Sequence, residues 1–134
     1  MANRAEDAFE LAARLERRRE AEAAQAAVLI ESFVREATQA GLAAQRLMAR
    51  AYSGTGRYKT NVWGWYIKRD HSVGVGQDGL FYVLHAPASW SARFTGVRLE
   101  AAQPALELGR GARDGESIPL ADALALRLAA GAQF

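Results

Sequence analysis

His71 and His85 are the only imidazoles in the chain, and it contains no cysteine. A zinc site needs three or four ligands, commonly at i,i+3 or i,i+4 spacing, and two distant histidines do not supply one. No metal and no cofactor is therefore expected. Asp70-His71-Ser72 holds the residue types of a hydrolytic triad. Triads, however, are assembled from separate elements around an oxyanion hole, so this tripeptide reads as a polar turn. Two glycine-rich stretches invite a phosphate reading. Ser53-Gly54-Thr55-Gly56-Arg57 has no helix after it, and Gly109–Gly115 lacks the Gly-Lys-Ser/Thr ending of a P-loop. The second stretch does set Arg110 and Arg113 just ahead of a helix N-terminus, where backbone N–H groups and the helix dipole favour anions. That makes the pair a candidate anion site, with Asp114 and Glu116 competing for the same position.

The richest constellation is central. Residues 41–70 carry six cations, Arg46, Arg50, Arg57, Lys59, Lys68 and Arg69, against Asp70 alone; this net of +5 sits within a chain whose total is +2. Aromatic residues interleave with them, and Tyr52, Arg57, Tyr58, Lys59, Tyr66, Lys68 and Arg69 are read as one basic-aromatic face. Cations for phosphates and rings for bases are what single-stranded nucleic-acid binders combine; an acidic protein surface is the other fitting partner. Strict alternation puts Trp63, Trp65 and Ile67 on one side of a strand and Val62, Tyr66 and Lys68 on the other. With the tryptophan side packed under helices, the Tyr66/Lys68 side is expected to face solvent.

The elements that must position these residues form a helix, a block of strands, and a helix. Asn3 to Ala40 contains no Gly or Pro and is dominated by strong helix formers. Asn3 with Glu6 suits a helix start, and Gly41-Leu42 suits its end. The segment 61–69 is aromatic and β-branched, hence a strand. Asp78-Gly79 signals a hairpin between Ser72–Val75 and Leu80–Leu84, and Ser53–Gly56 separates another strand near Arg46–Tyr52. Ala88–Phe94 reads as a short helix, and Val97–Glu100 and Ala105–Leu108 as extended pieces. Leu120, Leu124 and Leu128 give the buried stripe of a last helix that ends at Gly131. The fold class is α+β: a long N-terminal helix, an antiparallel β-meander of about four strands, short connecting elements, and a C-terminal helix packed on the sheet. That outline resembles a double-stranded-RNA-binding domain in shape, although Asp114 and Glu116 stand where that family's last helix is lysine-rich; no family motif is matched.

A helix over Arg4–Ala40 is too long for a compact body of this size. Ala26, Ile30, Phe33, Val34 and Ala37 form a core stripe. Ala8, Leu11, Ala12 and Leu15, with Phe9 beside them, form a weaker one, and residues 16–27 hold no large apolar side chain. The reading divides the chain into residues 1–27, a projecting or partner-bound helical arm, and residues 28–134, a compact α+β domain. Phe9, Leu11 and Leu15 are the candidate partner-binding residues, facing another protein or a second copy.

With no membrane-length apolar run and no secretory leader, a cytoplasmic setting is expected. The function expected is a non-enzymatic binding or adaptor module, oligomeric or partner-bound through its N-terminal helix and its basic-aromatic face. An RNA- or DNA-associated protein using the basic strand face is the alternative, and a small enzyme of unknown class comes third.

Overall fold

The computed structural model describes residues 3–109 and 117–134. Its first element is one helix, α1 (Arg4–Gln39), about 54 Å long at 1.5 Å per residue. Both ends are capped as the sequence implies. The Asn3 side-chain oxygen accepts from the Ala5 N–H at 3.0 Å. At the far end Leu42 N–H donates to Ala37 O and Gly41 N–H to Thr38 O, with Gly41 at φ +73°, the paired bonds of a Schellman motif. Ala26, Ile30, Phe33 and Ala37 are buried. Contact with the body starts slightly before them, where the Glu22 carboxylate accepts from the Leu106 N–H at 3.1 Å.

Four strands then form an antiparallel meander: β1 (Gln45–Ala51), β2 (Arg57–Tyr66), β3 (Val73–Gly76) and β4 (Phe81–Val83). A short β5 (His85–Ala86) pairs parallel to β1, giving the order β4-β3-β2-β1-β5. Only Leu84 separates β4 from β5, yet they lie at opposite edges of that order. Leu84 N–H donates to Ser72 O, beside β3, while Leu84 O accepts from Arg50 N–H on β1. One strand therefore joins both edges, and the sheet rolls round on itself. Closing a sheet this way removes the exposed edges that invite aggregation.

The roll requires two local devices. Between Arg46↔Trp63 and Met48↔Lys59 the register shifts, so β2 carries extra residues opposite Leu47. Bulges leave ladder groups unpaired; here the buried Thr60 hydroxyl donates to Leu47 O at 2.7 Å and accepts from Val62 N–H at 3.1 Å. At Gly64 the strands approach so closely that a Cβ would overlap the Val75 carbonyl oxygen.

Inside the roll lie Leu47, Val62, Tyr66, Tyr82 and Leu84, continued by Ala49, Ala51, Tyr58 and Ala86. Outside it, α1 and a C-terminal helix, α3 (Leu120–Ala130), cover only one end. There Trp65 meets Phe33 edge-on at 5.7 Å and donates its indole N–H to Leu42 O at 3.1 Å. Leu120 and Leu124 close this cluster, with Leu128 packed beside it. Arg127 is buried too: its Nε donates to Tyr66 O at 3.0 Å, its Nη1 to Gly131 O at 2.7 Å, and its guanidinium lies 4.5 Å from the Phe134 ring. Between β5 and α3 come a single helical turn, α2 (Ala92–Thr95), and the small ladder of β6 (Glu107–Leu108) with β7 (Ile118–Pro119).

The two sides of β2 therefore do not divide as strict alternation suggested. Trp65 and Ile67 are buried under the helices, but Trp63 is 49% exposed, whereas Tyr58 and Tyr66 are interior. The cause is the roll. The even-numbered side of β2 fills its inside along the whole strand, while the helices reach the odd-numbered side only at the Trp65 end.

Candidate nucleic-acid interface

The outer side of the β1–β2 hairpin is built from residues that alternate with the small buried ones. On β1, Ala49 and Ala51 face in and Arg46, Met48 and Arg50 face out; on β2, Arg57, Lys59, Asn61 and Trp63 face out. Cross-strand pairing sets Arg50 opposite Arg57, Met48 opposite Lys59 and Arg46 opposite Trp63. Like charges directly opposite are unfavourable in isolation. The Arg46 guanidinium lies over the Trp63 ring at 5.0 Å, a cation–π contact that leaves half the indole open.

The surface continues past β2. Gly96 to Leu99 runs alongside it, with Val97 N–H donating to Lys59 O at 2.8 Å and Leu99 N–H to the Asn61 side chain at 2.7 Å. Thr60 and Val97 pair in parallel, so Val97 points inward and Arg98 outward. Beyond that strip, α2 presents Arg93 and Phe94. Arg46, Lys59, Asn61, Arg93, Phe94 and Arg98 line one open cleft of about 550 Å³. Phe94 is 76% exposed and meets Trp90, 78% exposed, edge-on at 5.4 Å. A band thus runs from Trp63 through Arg46 and Lys59 to Phe94 and Trp90.

Six exposed cations belong to this surface: Arg46, Arg50, Arg57, Lys59, Arg93 and Arg98. The one ion pair among the described residues is Lys68–Asp70 at 3.6 Å. Asp70 lies at the Arg50 end of this surface, where its carbonyl accepts from Arg50 Nη2 at 3.5 Å, but no carboxylate among the described residues comes within 4.0 Å of any of the six.

At the Arg50/Arg57 end stands His71, a non-glycine residue at φ +60° whose ring stacks on Tyr66 at 3.8 Å. Burial first, then the guanidiniums of Arg57 and Arg50, hold its imidazole below the ordinary histidine value of 6.5, against the opposing pull of Asp70. Burial acts to raise the Asp70 carboxyl, but hydrogen bonds from the Ser72 hydroxyl and N–H, with Lys68 nearby, outweigh it and keep the carboxyl low. The Ser72 hydroxyl is engaged by the carboxylate at 2.6 Å, so Asp70-His71-Ser72 forms a turn that holds its own side chains. Tyr82, inside the roll, donates to Asp78 at 2.7 Å. Its phenol is pushed up to about 12 by burial and by Asp78, with Arg98 opposing.

The seven residues read as one basic-aromatic face are divided by the structure. Arg57 and Lys59 stand on the outer hairpin surface. Tyr58 and Tyr66 are buried, their hydroxyls accepting from Ser89 N–H at 2.9 Å and Met48 N–H at 2.8 Å, so neither ring offers a stacking platform. Tyr52 is exposed at the hairpin end and stacks on His85 at 5.8 Å. Lys68 and Arg69 border a different cleft, with Ile67, Ser117, Leu126 and Phe134. Arg110 and Arg113 lie outside the described residues. Phe9, Leu11 and Leu15 are exposed on α1. Sequence reasoning missed Arg46, Arg50, Trp63, Trp90, Arg93, Phe94 and Arg98. The signal for the first two was the alternation of Arg46, Met48 and Arg50 with Leu47, Ala49 and Ala51.

No helix among the described residues is long and apolar enough to cross a membrane, and no three His, Cys, Asp or Glu side chains among them cluster as metal ligands. No protein-family model, curated protein or solved structure matches the chain.

Proposed function

We propose that this chain is a binding module for single-stranded nucleic acid, which lies across the outer face of the β1–β2 hairpin and the cleft beside α2. The observation that carries the reading is the union of six exposed cations, with no carboxylate within 4.0 Å of them among the described residues, and three exposed rings, Trp63, Phe94 and Trp90, in one continuous band. Cations alone suit any polyanion. Rings standing free in solvent add a reason to prefer unstacked bases, since a duplex hides base faces and a single strand offers them. In this reading the chain works in the cytoplasm, where RNA is the accessible single strand.

The test is a fluorescence titration with oligo(U) and oligo(dT), with heparin as a polyanion that has no bases. Stacking on Trp63 or Trp90 quenches emission while Trp65, buried, does not respond. Trp63→Ala and Phe94→Ala should each cost about 1–3 kcal/mol of oligonucleotide affinity and leave heparin affinity nearly unchanged. Absence of oligonucleotide binding at low salt, or equal losses for heparin, overturns the reading.

A further inference from the structure

Residues 4–18 of α1 are exposed apart from half-buried Ala13, Arg19 is the first to line a cleft with the body, beside Val73 and Phe81, and the charges of this arm are segregated along the helix. Residues 4–10 carry Arg4 against Glu6, Asp7 and Glu10, a net of −2; residues 14–19 carry Arg14, Arg17, Arg18 and Arg19 against Glu16, a net of +3. Leu11 and Leu15 remain 54% and 43% exposed. Their stripe, completed by Ala8 and Ala12, continues the line of the buried one, since Leu15 and Phe33 are 18 residues, about five full turns, apart. Phe9 projects to the side of this stripe.

We infer that the arm pairs antiparallel with the arm of a second copy of this chain. Charge and length both select that occupant and that direction. Setting Leu11 against Leu15 of the partner subunit brings Asp7 opposite Arg19 of the partner subunit and Arg4 opposite Glu22 of the partner subunit, and the two-fold repeats each pairing. A parallel, in-register pair would instead stack arginine on arginine and aspartate on aspartate. The antiparallel overlap runs from Arg4 to Glu22, about 27 Å, and Glu22 is where α1 first bonds to the body. The paired segment thus ends where the helix meets the body. Two leucines and two alanines per copy make a small interface, so association is reversible and depends on concentration. Nothing in this pairing requires the strand face to bind nucleic acid.

Sedimentation velocity on the full chain tests this. The weight-average mass should climb with concentration toward twice the 14.5 kDa of one chain. Leu11→Glu/Leu15→Glu should hold it at one chain with near-ultraviolet circular dichroism of Trp65 unchanged. Asp7→Arg should weaken association, and Asp7→Arg with Arg19→Asp should restore it. Because the chain has no cysteine, direction can be read by a short bis-maleimide. Ala8→Cys and Arg18→Cys proteins should link to each other when mixed and not to themselves. A single-chain mass at every concentration, self-linking of each variant, or failure of the double charge swap to restore association overturns the proposal.

Discussion

Removing two cations from the hairpin face should change how steeply binding depends on salt. Each phosphate neutralised on a single strand contributes about −0.7 to the slope of log K against log salt, so six contacts predict a slope near −4.2. Raising salt from 50 to 200 mM then weakens oligo(U) binding roughly 340-fold. In Arg57→Ala/Lys59→Ala the slope should fall to about −2.8, and the same salt change should cost roughly 50-fold. Both side chains are exposed, at the first and third positions of β2, so the double variant should stay folded. It should even relieve the like-charge opposition of Arg50 and Arg57. Lys68→Ala/Arg69→Ala removes equal charge from a different cleft and should leave the slope as it was. The assay is fluorescence anisotropy of a labelled oligonucleotide at four or more salt concentrations. A wild-type slope shallower than −1, or equal slope changes in both double variants, would refute the assignment of phosphate contacts to the hairpin face.

Thr60→Val should destabilise the fold by roughly 2–4 kcal/mol, because it strips the Leu47 carbonyl and the Val62 N–H of their shared partner at the bulge. The urea midpoint measures this, and a Thr60→Ser protein that falls as far as Thr60→Val would count against the hydroxyl's role. His71 should titrate below 6.5 by NMR, and its midpoint should rise in Arg57→Gln and on oligonucleotide binding, since each removes or offsets positive charge beside the ring. Its depressed folded value means that the unfolded chain takes up the proton first, so this group's contribution to stability falls as pH drops through 6.5. Tyr82 has the opposite sense. With a phenol raised to about 12 from 10.0, its contribution is complete below pH 10 and is lost as pH climbs through 12, and Tyr82→Phe should flatten that alkaline loss in thermal melts.

What the sequence reveals about this fold depends on whether the cause is local. Asn3 and Gly41-Leu42 mark the helix ends because capping is settled within four residues. Asp78-Gly79 marks its hairpin because Gly79, at φ +79°, and the Asp78 carboxylate, which accepts from Leu80 N–H, set the turn by themselves. The rolling of the sheet is not local. It rests on Leu84 bonding to both Ser72 and Arg50, groups far apart in the chain, and on Gly64 letting β3 come close. Without the roll, Tyr58 and Tyr66 look like natural surface partners for Lys59 and Lys68, and Trp63 looks like core. Arg127 misleads in the same way: its charge suggests the solvent side of α3, yet carbonyls of Tyr66 and Gly131 satisfy it in the interior. Arg93, Phe94 and Trp90 join the site only because Gly96–Leu99 runs beside β2 and carries α2 with it.

The arm and the strand face are weak in complementary ways. An isolated helical stretch of about 18 residues is marginal in water, and ion pairs add only a few tenths of a kcal/mol each. The segment therefore gains most of its order when its leucine stripe is covered. The strand face, for its part, is open and its charge is screened, so on the proposed function one copy alone would hold a strand loosely at physiological salt. The proposed antiparallel arms would remove both weaknesses at once. They would set a hairpin face on each of the two bodies they join, and a strand long enough to reach the second face would bind it intramolecularly, at an effective concentration set by the span between the bodies. A ligand that bridges the faces must then also favour the dimer, because binding and association share one equilibrium. The stiffness of α1 is what makes the span definite: it enters the core without a break at Ala26, so the arm transmits the position of one body to the other.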